Sequence, residues 1–205
     1  MRRVSIDELN ASREETFRLR ELLGNGGVVA LPTETFYGLA ADPWSEAGVS
    51  RICRMKGREA VKALPVLFAT RAHLDRLGIV ASPQVLQAYF QIWPAPLTAV
   101  FDIRQPIAAS RGLSKLGVRM PSDRKLRTLL GAIGPVTGTS VNRSGSPPLD
   151  NPDAVETLFR RDVDWLIDGG RTPGGKPSTV VDATAAPPAV LRQGAYVWAR
   201  GEGKG

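Results

Sequence analysis

The chain has 205 residues, 42% of them hydrophobic and 23% charged, with a net charge of +7. That length suits one domain with a sizeable core, or at most two small ones. A single cysteine, Cys53, and a single histidine, His73, exclude an internal disulfide and a cysteine zinc cluster. No apolar run approaches the roughly 20 residues of a membrane helix, and the basic N-terminus lacks the apolar stretch of a signal peptide. The expected compartment is therefore the cytoplasm. The basic balance suits anionic partners: nucleotides, phosphates or RNA.

Ser12 and Glu15 have capping-box spacing, and Phe17, Leu19, Leu22 and Leu23 follow with helical recurrence until Gly24-Asn25-Gly26-Gly27 ends the helix. Residues 28–31 read as a buried strand. Ser45 caps a second helix with Val49, Ile52 and Cys53 facing inward. A strand is expected over 64–69, short helices at 74–77 and 85–90, and a break at Trp93-Pro94-Ala95-Pro96 before a strand over 97–103.

Further strands are expected at 116–120 and 135–138, the latter entering a polar loop over 139–146, with a helix at 125–130 between them. Asn151 or Asp153 caps a helix that reaches Phe159. Strands at 163–167, 179–181 and 190–191 complete the series, and 201–205 reads as a frayed tail. Helices and strands alternate irregularly. That predicts α/β architecture, a twisted mixed parallel and antiparallel sheet flanked by helices, in one domain over 1–205.

Gly170 to Lys176 satisfies G-x-x-x-x-G-K, but Pro177 stands where a phosphate-binding loop needs Ser or Thr, and a strand rather than a helix follows. His73 sits on an expected surface helix, so a Ser-His-Asp or Cys-His mechanism has no candidate base.

Polar residues gather instead at strand ends and turns, where α/β proteins place ligands. These are Thr33-Glu34-Thr35, then Lys56-Gly57-Arg58 with Lys62, then Lys115 and Arg119, then Gly138-Thr139-Ser140-Val141-Asn142-Arg143-Ser144-Gly145, and last Ser178 to Asp182 with Leu191-Arg192-Gln193-Gly194. Each alone has an ordinary structural explanation: turn hydroxyls satisfying nearby backbone, or cations at a helix end. Arg119 is harder to dismiss. It lies in the apolar run Gly117-Val118-Arg119-Met120-Pro121, and a buried arginine needs an anionic partner.

Taken in order, Pro32-Thr33-Glu34-Thr35-Phe36-Tyr37-Gly38-Leu39, Lys56-Gly57-Arg58, Trp93 to Thr98, Gly117 to Pro121, Thr139 to Gly145, Ser178 to Asp182 and Leu191 to Gly194 resemble the signature blocks of the YrdC/TsaC family of threonylcarbamoyl-AMP synthases. The blocks run from about residue 26 to 195. Ala95 stands where the family has Gly, Val141 where it has Ala, and Glu59, Ala63 and Ser122-Asp123-Arg124 depart from its usual residues.

The resemblance implies a YrdC-like fold and an ATP-dependent, pyrophosphate-releasing nucleotidyltransferase that condenses L-threonine, bicarbonate or CO2, and ATP. It implies catalytic roles for Lys56, Arg58, Ser140 and Asn142. It implies ATP contacts from Arg58, Lys62, Lys115, Ser140 and Arg192, and threonine contacts from Thr35, Arg119, Gly138 and Ser178, with Thr33, Tyr37 and Arg143 in second rank. Mg2+ is expected to arrive with ATP, without an identifiable protein ligand. The product is expected to pass to a tRNA threonylcarbamoyl-transferase complex, with tRNA or duplex RNA as a further partner. Two alternatives stay open: a relative acting on another carbamate, and a non-catalytic RNA-binding module.

Overall fold

The computed structural model describes residues 1–57, 62–143 and 145–198. In chain order the elements begin with β1 (Arg2–Ser5), α1 (Ile6–Ala11), α2 (Arg13–Gly24), β2 (Val29–Leu31), β3 (Gly38–Ala40) and α3 (Glu46–Met55). Then come β4 (Val66–Leu67), α4 (Arg71–Arg76), β5 (Ile79–Val80), α5 (Pro83–Ile92) and β6 (Leu97–Ile103). A 3-10 turn at Ala108–Ser110 precedes β7 (Lys115–Arg119), α6 (Arg124–Ile133), β8 (Val136–Thr137) and β9 (Thr139–Ser140). The series ends with α7 (Pro152–Phe159), β10 (Trp165–Asp168), β11 (Thr179–Asp182) and β12 (Ala189–Arg192).

The helices start where short polar side chains can take up free N–H groups. Ser12 Oγ accepts from the Glu15 N–H, Ser45 Oγ from Gly48, and Asp123 Oδ1 from Leu126 at 2.7 Å. Asn151, rather than Asp153, caps α7 by accepting from the Asp153 N–H.

The strands form two mixed sheets. One has the order β1-β10-β2-β3-β9, with β1, β10 and β2 parallel and β3 and β9 antiparallel to their neighbours. The other runs β12-β11-β6-β7-β4-β8, with β5 added along β6. Gly138 is the corner between them: β8 pairs with β4 in one sheet and β9 with β3 in the other. Its N–H donates to the Pro65 carbonyl at 2.7 Å, and a Cβ there would lie 2.4 Å from Leu67 Cγ. Only glycine lets the chain turn this tightly against β4.

Alternation along β2 assigns its two faces to two apolar layers. Val28 and Ala30 join Tyr37, Leu39, Phe68, Trp93, Phe101 and Val118 in one core. Val29 and Leu31 join Leu9, Leu19, Leu126 and Leu130 beneath α1, α2 and α6 in the other. Because β2 is buried on both faces, it reads as an unbroken apolar run rather than an alternating one.

The structure corrects several expectations. The strand expected over 64–69 is ladder-paired only at Val66–Leu67, because Pro65 has no N–H and Leu64 donates instead to the Ala109 carbonyl. Helix α6 extends beyond 125–130 to Ile133. β3 and β9 lie in the turn after residue 31 and in the polar loop expected over 139–146, and β1, α1 and β5 lie where no element was expected. The expected frayed tail, 201–205, lies outside the described residues.

Candidate active site

Strand directions bring the polar ends together. β7 and β12 both run antiparallel to their neighbours β6 and β11, while β6 and β11 are parallel. The last residues of β7 and β12, Arg119 and Arg192, therefore arrive where β6 and β11 begin, beside Thr98 and Ser178. Arg192 Nη2 donates to the Ser178 carbonyl at 2.7 Å and to Ser178 Oγ at 3.3 Å. The hydroxyls of Ser178 and Thr98 lie 3.1 Å apart. Desolvation, and then the nearby charge of Arg119, lower the pKa of Arg192. Two guanidinium groups thus stand at the same end of the sheet, an arrangement that favours an anion there.

From the first sheet, the loop after β2 delivers Glu34. Its Oε1 accepts from Arg119 Nε at 3.1 Å and makes an ion pair with Nη2. Thr33 Oγ1 donates to the Phe36 carbonyl at 2.7 Å and accepts from the Thr35 N–H, so it shapes the turn. Its proton being committed, Thr35 Oγ1 donates across the 3.0 Å contact between the two hydroxyls, which leaves the lone pairs of Thr35 as acceptors.

The third part comes from α3 and β9. Lys56 is the C-cap of α3 and 1% exposed. Its ammonium donates to the Ser140 carbonyl at 2.5 Å and to Asn142 Oδ1 at 2.8 Å. Ser140 Oγ donates to the same Oδ1 at 2.6 Å, while Asn142 Nδ2 donates to the Ser146 carbonyl at 2.7 Å. Lys56, Ser140 and Asn142 are one hydrogen-bonded unit that fixes positive charge and a hydroxyl beside the strand ends.

The structure brings together Lys56, Ser140 and Asn142 as one group, Ser178 and Arg192 as a second, and pairs Arg119 with Glu34, the neighbour of Thr35. Arg58 lies outside the described residues. Lys62 is exposed. Lys115 begins β7 while Arg119 ends it, about 13 Å apart along a strand. Its ammonium is held by Asp182 at 3.0 Å and Thr184 at 2.6 Å. The Thr184 hydroxyl, with Lys115 behind it, holds the Asp182 carboxyl below the usual range. The Gly138 N–H donates to the Pro65 carbonyl, and the residue forms the corner between the sheets.

Tyr37 is a core residue whose hydroxyl donates to the Gly170 carbonyl, and burial pushes its pKa up to about 12. Val141 is fully buried among core side chains, so its bulk is absorbed by the core rather than by the site. Ala95 is 6% exposed and donates to the Met120 carbonyl. Sequence reasoning gave no role to Glu34 or Thr98. The signal for Glu34 was present: a buried strand arginine requires an anion, and Glu34 is the acidic residue of the hydroxyl-rich turn.

A family model described as telomere recombination, the Sua5/YciO/YrdC model, matches residues 21–194. A threonylcarbamoyl-AMP synthase of Pyrococcus abyssi is 35% identical over 188 residues, covering 89% of this chain and 55% of the relative. One from Bacillus subtilis is 30% identical over 192 residues, covering 92% of this chain and 56% of the relative. A crystal structure of P. abyssi Sua5 complexed with L-threonine superposes with a TM-score of 0.81 at 32% identity, covering 89% of this chain and 55% of that one. The chain spans about half the length of these relatives.

Proposed function

The chain belongs to the Sua5/YciO/YrdC family, and we propose that it forms threonylcarbamoyl-AMP and pyrophosphate from L-threonine, bicarbonate or CO2, and ATP, as one YrdC-like cytoplasmic domain. The observation that carries this reading is that two guanidinium groups, Arg119 and Arg192, stand at one end of the second sheet, in a chain that also builds the Lys56–Ser140–Asn142 unit. Every reactant that must meet is anionic: triphosphate, carbamate and amino-acid carboxylate. Fixed cations and oriented donors offset that repulsion without reorganising during reaction.

In this reading threonine's carboxylate pairs with Arg119, whose planar fork suits it, and Thr35 and Ser178 contact the rest of the amino acid. The amine and CO2 give a carbamate. A carbamate oxygen attacks the α-phosphorus, the bond to the bridging oxygen breaks, and pyrophosphate leaves. Lys56, Ser140 and Asn142 lie by the α-phosphate and carbamate. Arg58, Lys62 and Arg192 hold phosphate charge. Among the described residues no cluster of three or more His, Cys, Asp or Glu stands together to hold a metal. In this reading magnesium enters as the ATP complex, and no step is assigned to it. The adenylate passes to a tRNA threonylcarbamoyl-transferase complex.

The test is pyrophosphate release by the purified chain with ATP, magnesium and bicarbonate, with and without L-threonine, and with serine and glycine in parallel. Threonine-dependent release is the expected result. ATP turnover indifferent to threonine would point to another carbamate.

One observation favours RNA as a further partner. A groove of about 320 Å3 is lined by Arg51, Arg54, Arg143 and Arg161 with Met55 and Asp162. It adjoins both Lys56 and Asn142 in the chain. Arg51 is committed to Asp164 at 2.7 Å, but Arg54 and Arg161 are exposed. Such a groove fits a phosphodiester backbone.

A further inference from the structure

The G-x-x-x-x-G-K stretch is not a phosphate-binding loop, and the fold gives it another use. Residues 169–178 cross from β10 in the first sheet to β11 in the second. The crossing is fastened at three points. At its start, the Tyr37 hydroxyl donates to the Gly170 carbonyl at 2.8 Å and accepts from the Gly169 N–H at 3.3 Å. Next, the Thr172 N–H donates to the Asp150 carbonyl at 2.9 Å. Further on, the Gly174 N–H donates to the Thr35 carbonyl at 2.7 Å. Ser178, beyond these points, is fixed separately: its carbonyl accepts from Arg192, and the Thr179 N–H donates to the Pro96 carbonyl at 2.9 Å. The first part of the crossing therefore bears on Thr35 and leaves Ser178 to its own ties.

Tyr37 is fully buried, and its backbone holds a different segment. Its N–H donates to the Leu149 carbonyl at 2.9 Å, and its carbonyl accepts at 2.8 Å from the N–H of Val141, which lies between Ser140 and Asn142. One residue thus ties two loops through different atoms. We propose that the Tyr37 hydroxyl is a positioning group for threonine: by clasping the start of the crossing it fixes the Gly174 N–H, and through it the Thr35 turn, where threonine needs them. The inference rests on the synthase reading and adds a residue that acts without touching substrate. A contact group displaced by about an ångström loses much of its effect. Tyr37→Phe removes the hydroxyl but keeps the ring and both backbone bonds, so the Lys56–Ser140–Asn142 unit stays in place. Gly169 and Gly170 are exposed, so water takes over their lost partner and the fold survives.

The experiment measures threonine-dependent pyrophosphate release, with ATP affinity by calorimetry, for wild type, Tyr37→Phe, Thr35→Val and the double variant. Thermal melting controls for folding. Tyr37→Phe should raise KM for threonine about fivefold, the worth of one neutral hydrogen bond, with kcat and ATP affinity within about twofold. In the Thr35→Val background the same change should move KM by less than about twofold, because the clasp acts through Thr35. An unchanged KM in folded Tyr37→Phe would overturn the proposal. So would equal weakening of threonine and ATP, which would make the hydroxyl a general brace, and so would an undiminished effect in the Thr35→Val background. If Tyr37→Phe fails to fold, Gly174→Ala disturbs the far end of the same connection, where φ is +68° and a side chain is strained. A raised KM with ATP affinity unchanged then supports the proposal, and an unchanged KM overturns it. Wild type without any threonine-dependent release would sink the synthase reading, and this inference with it.

Discussion

The Lys56 ammonium and the Asn142 side-chain carbonyl meet at 2.8 Å, tying the C-terminus of α3 to the loop that follows β9. Both ends of that link belong to polar segments, and neither is near the other in sequence. The contact forms because Gly138 turns the chain from one sheet to the other, which swings Ser140 and Asn142 over the end of α3. A structural corner thus creates the group of charge and hydroxyl on which phosphate chemistry can be built.

Replacing Lys56 with Met tests that link. The variant would leave the Ser140 carbonyl and Asn142 Oδ1 short of a donor, at a cost of about 2–3 kcal/mol of stability. Pyrophosphate release should fall about a hundredfold or more, since fixed charge at the reacting centre is removed. Near-normal turnover in folded Lys56→Met would remove Lys56 from the reaction.

Arg119→Lys should discriminate between the two substrates. A lysine keeps the charge but has no planar fork, so KM for threonine should rise about tenfold or more while ATP affinity stays within about twofold. Calorimetric titration of each ligand checks this. Equal weakening of both would place Arg119 with the nucleotide.

Gly194→Ala probes the opposite wall. A Cβ at Gly194 would lie 2.1 Å from the Pro177 carbonyl oxygen and 2.5 Å from the Ser178 carbonyl carbon, so backbone must move. The expected cost is about 1–3 kcal/mol in a urea melt. The shift should also pull Ser178 away from Arg192 and reduce turnover; a variant as stable and active as wild type would show that this close approach is dispensable.

How far the sequence revealed this molecule depends on the range of each interaction. Helices α2, α3 and α5 were legible because their caps and apolar spacing are local, as Ser12, Ser45 and Val85 to Phe90 show. The buried runs 28–31 and 97–103 were legible from apolar content alone. β3 and β9 were not: Gly38–Ala40 and Thr139–Ser140 have weak strand propensity, and β3 becomes a strand by pairing with β2 and β9 by pairing with β3 across about a hundred residues. The site follows the same rule. The residue types at Ser140, Asn142, Arg119, Ser178 and Arg192 marked them as polar strand ends, and Lys56 as a cation at a helix end. Which of them touch was invisible, and so was the sorting of Lys115 to the far end of β7, because strand direction decides it. Glu34 stood in the first polar cluster and Arg119 was known to need an anion, but only the fold joins the two.

His73 makes stability depend on pH in a window of its own. It is half-buried on α4, and its Nδ1 accepts from the Ala69 N–H at 3.3 Å, which requires the neutral ring. Desolvation, then the charge of Arg76, lower its pKa below the ordinary 6.5. The unfolded chain therefore takes up a proton first as pH falls. The contribution is intact above about pH 6.5 and declines below it, toward the folded-state value. Because the chain has no other histidine, His73→Gln should flatten the change in urea midpoint between about pH 7.5 and pH 5.5. An equally steep change in the variant would assign it to carboxylates.

The arginine groove gives the last prediction. Arg54 and Arg161 line it but lie outside the hydrogen-bonded unit around Lys56, so charge reversal there should separate RNA binding from adenylate formation. Arg54→Glu with Arg161→Glu should weaken duplex RNA or tRNA binding and lower the slope of log affinity against log salt by about one for each phosphate that is no longer neutralised. Threonine-dependent pyrophosphate release should stay within about twofold, because neither side chain is placed against ATP or threonine. An unchanged salt slope would remove the groove as an RNA surface. Turnover that disappears together with RNA binding would mean that the groove instead continues the nucleotide site, with Arg143 as the link between them.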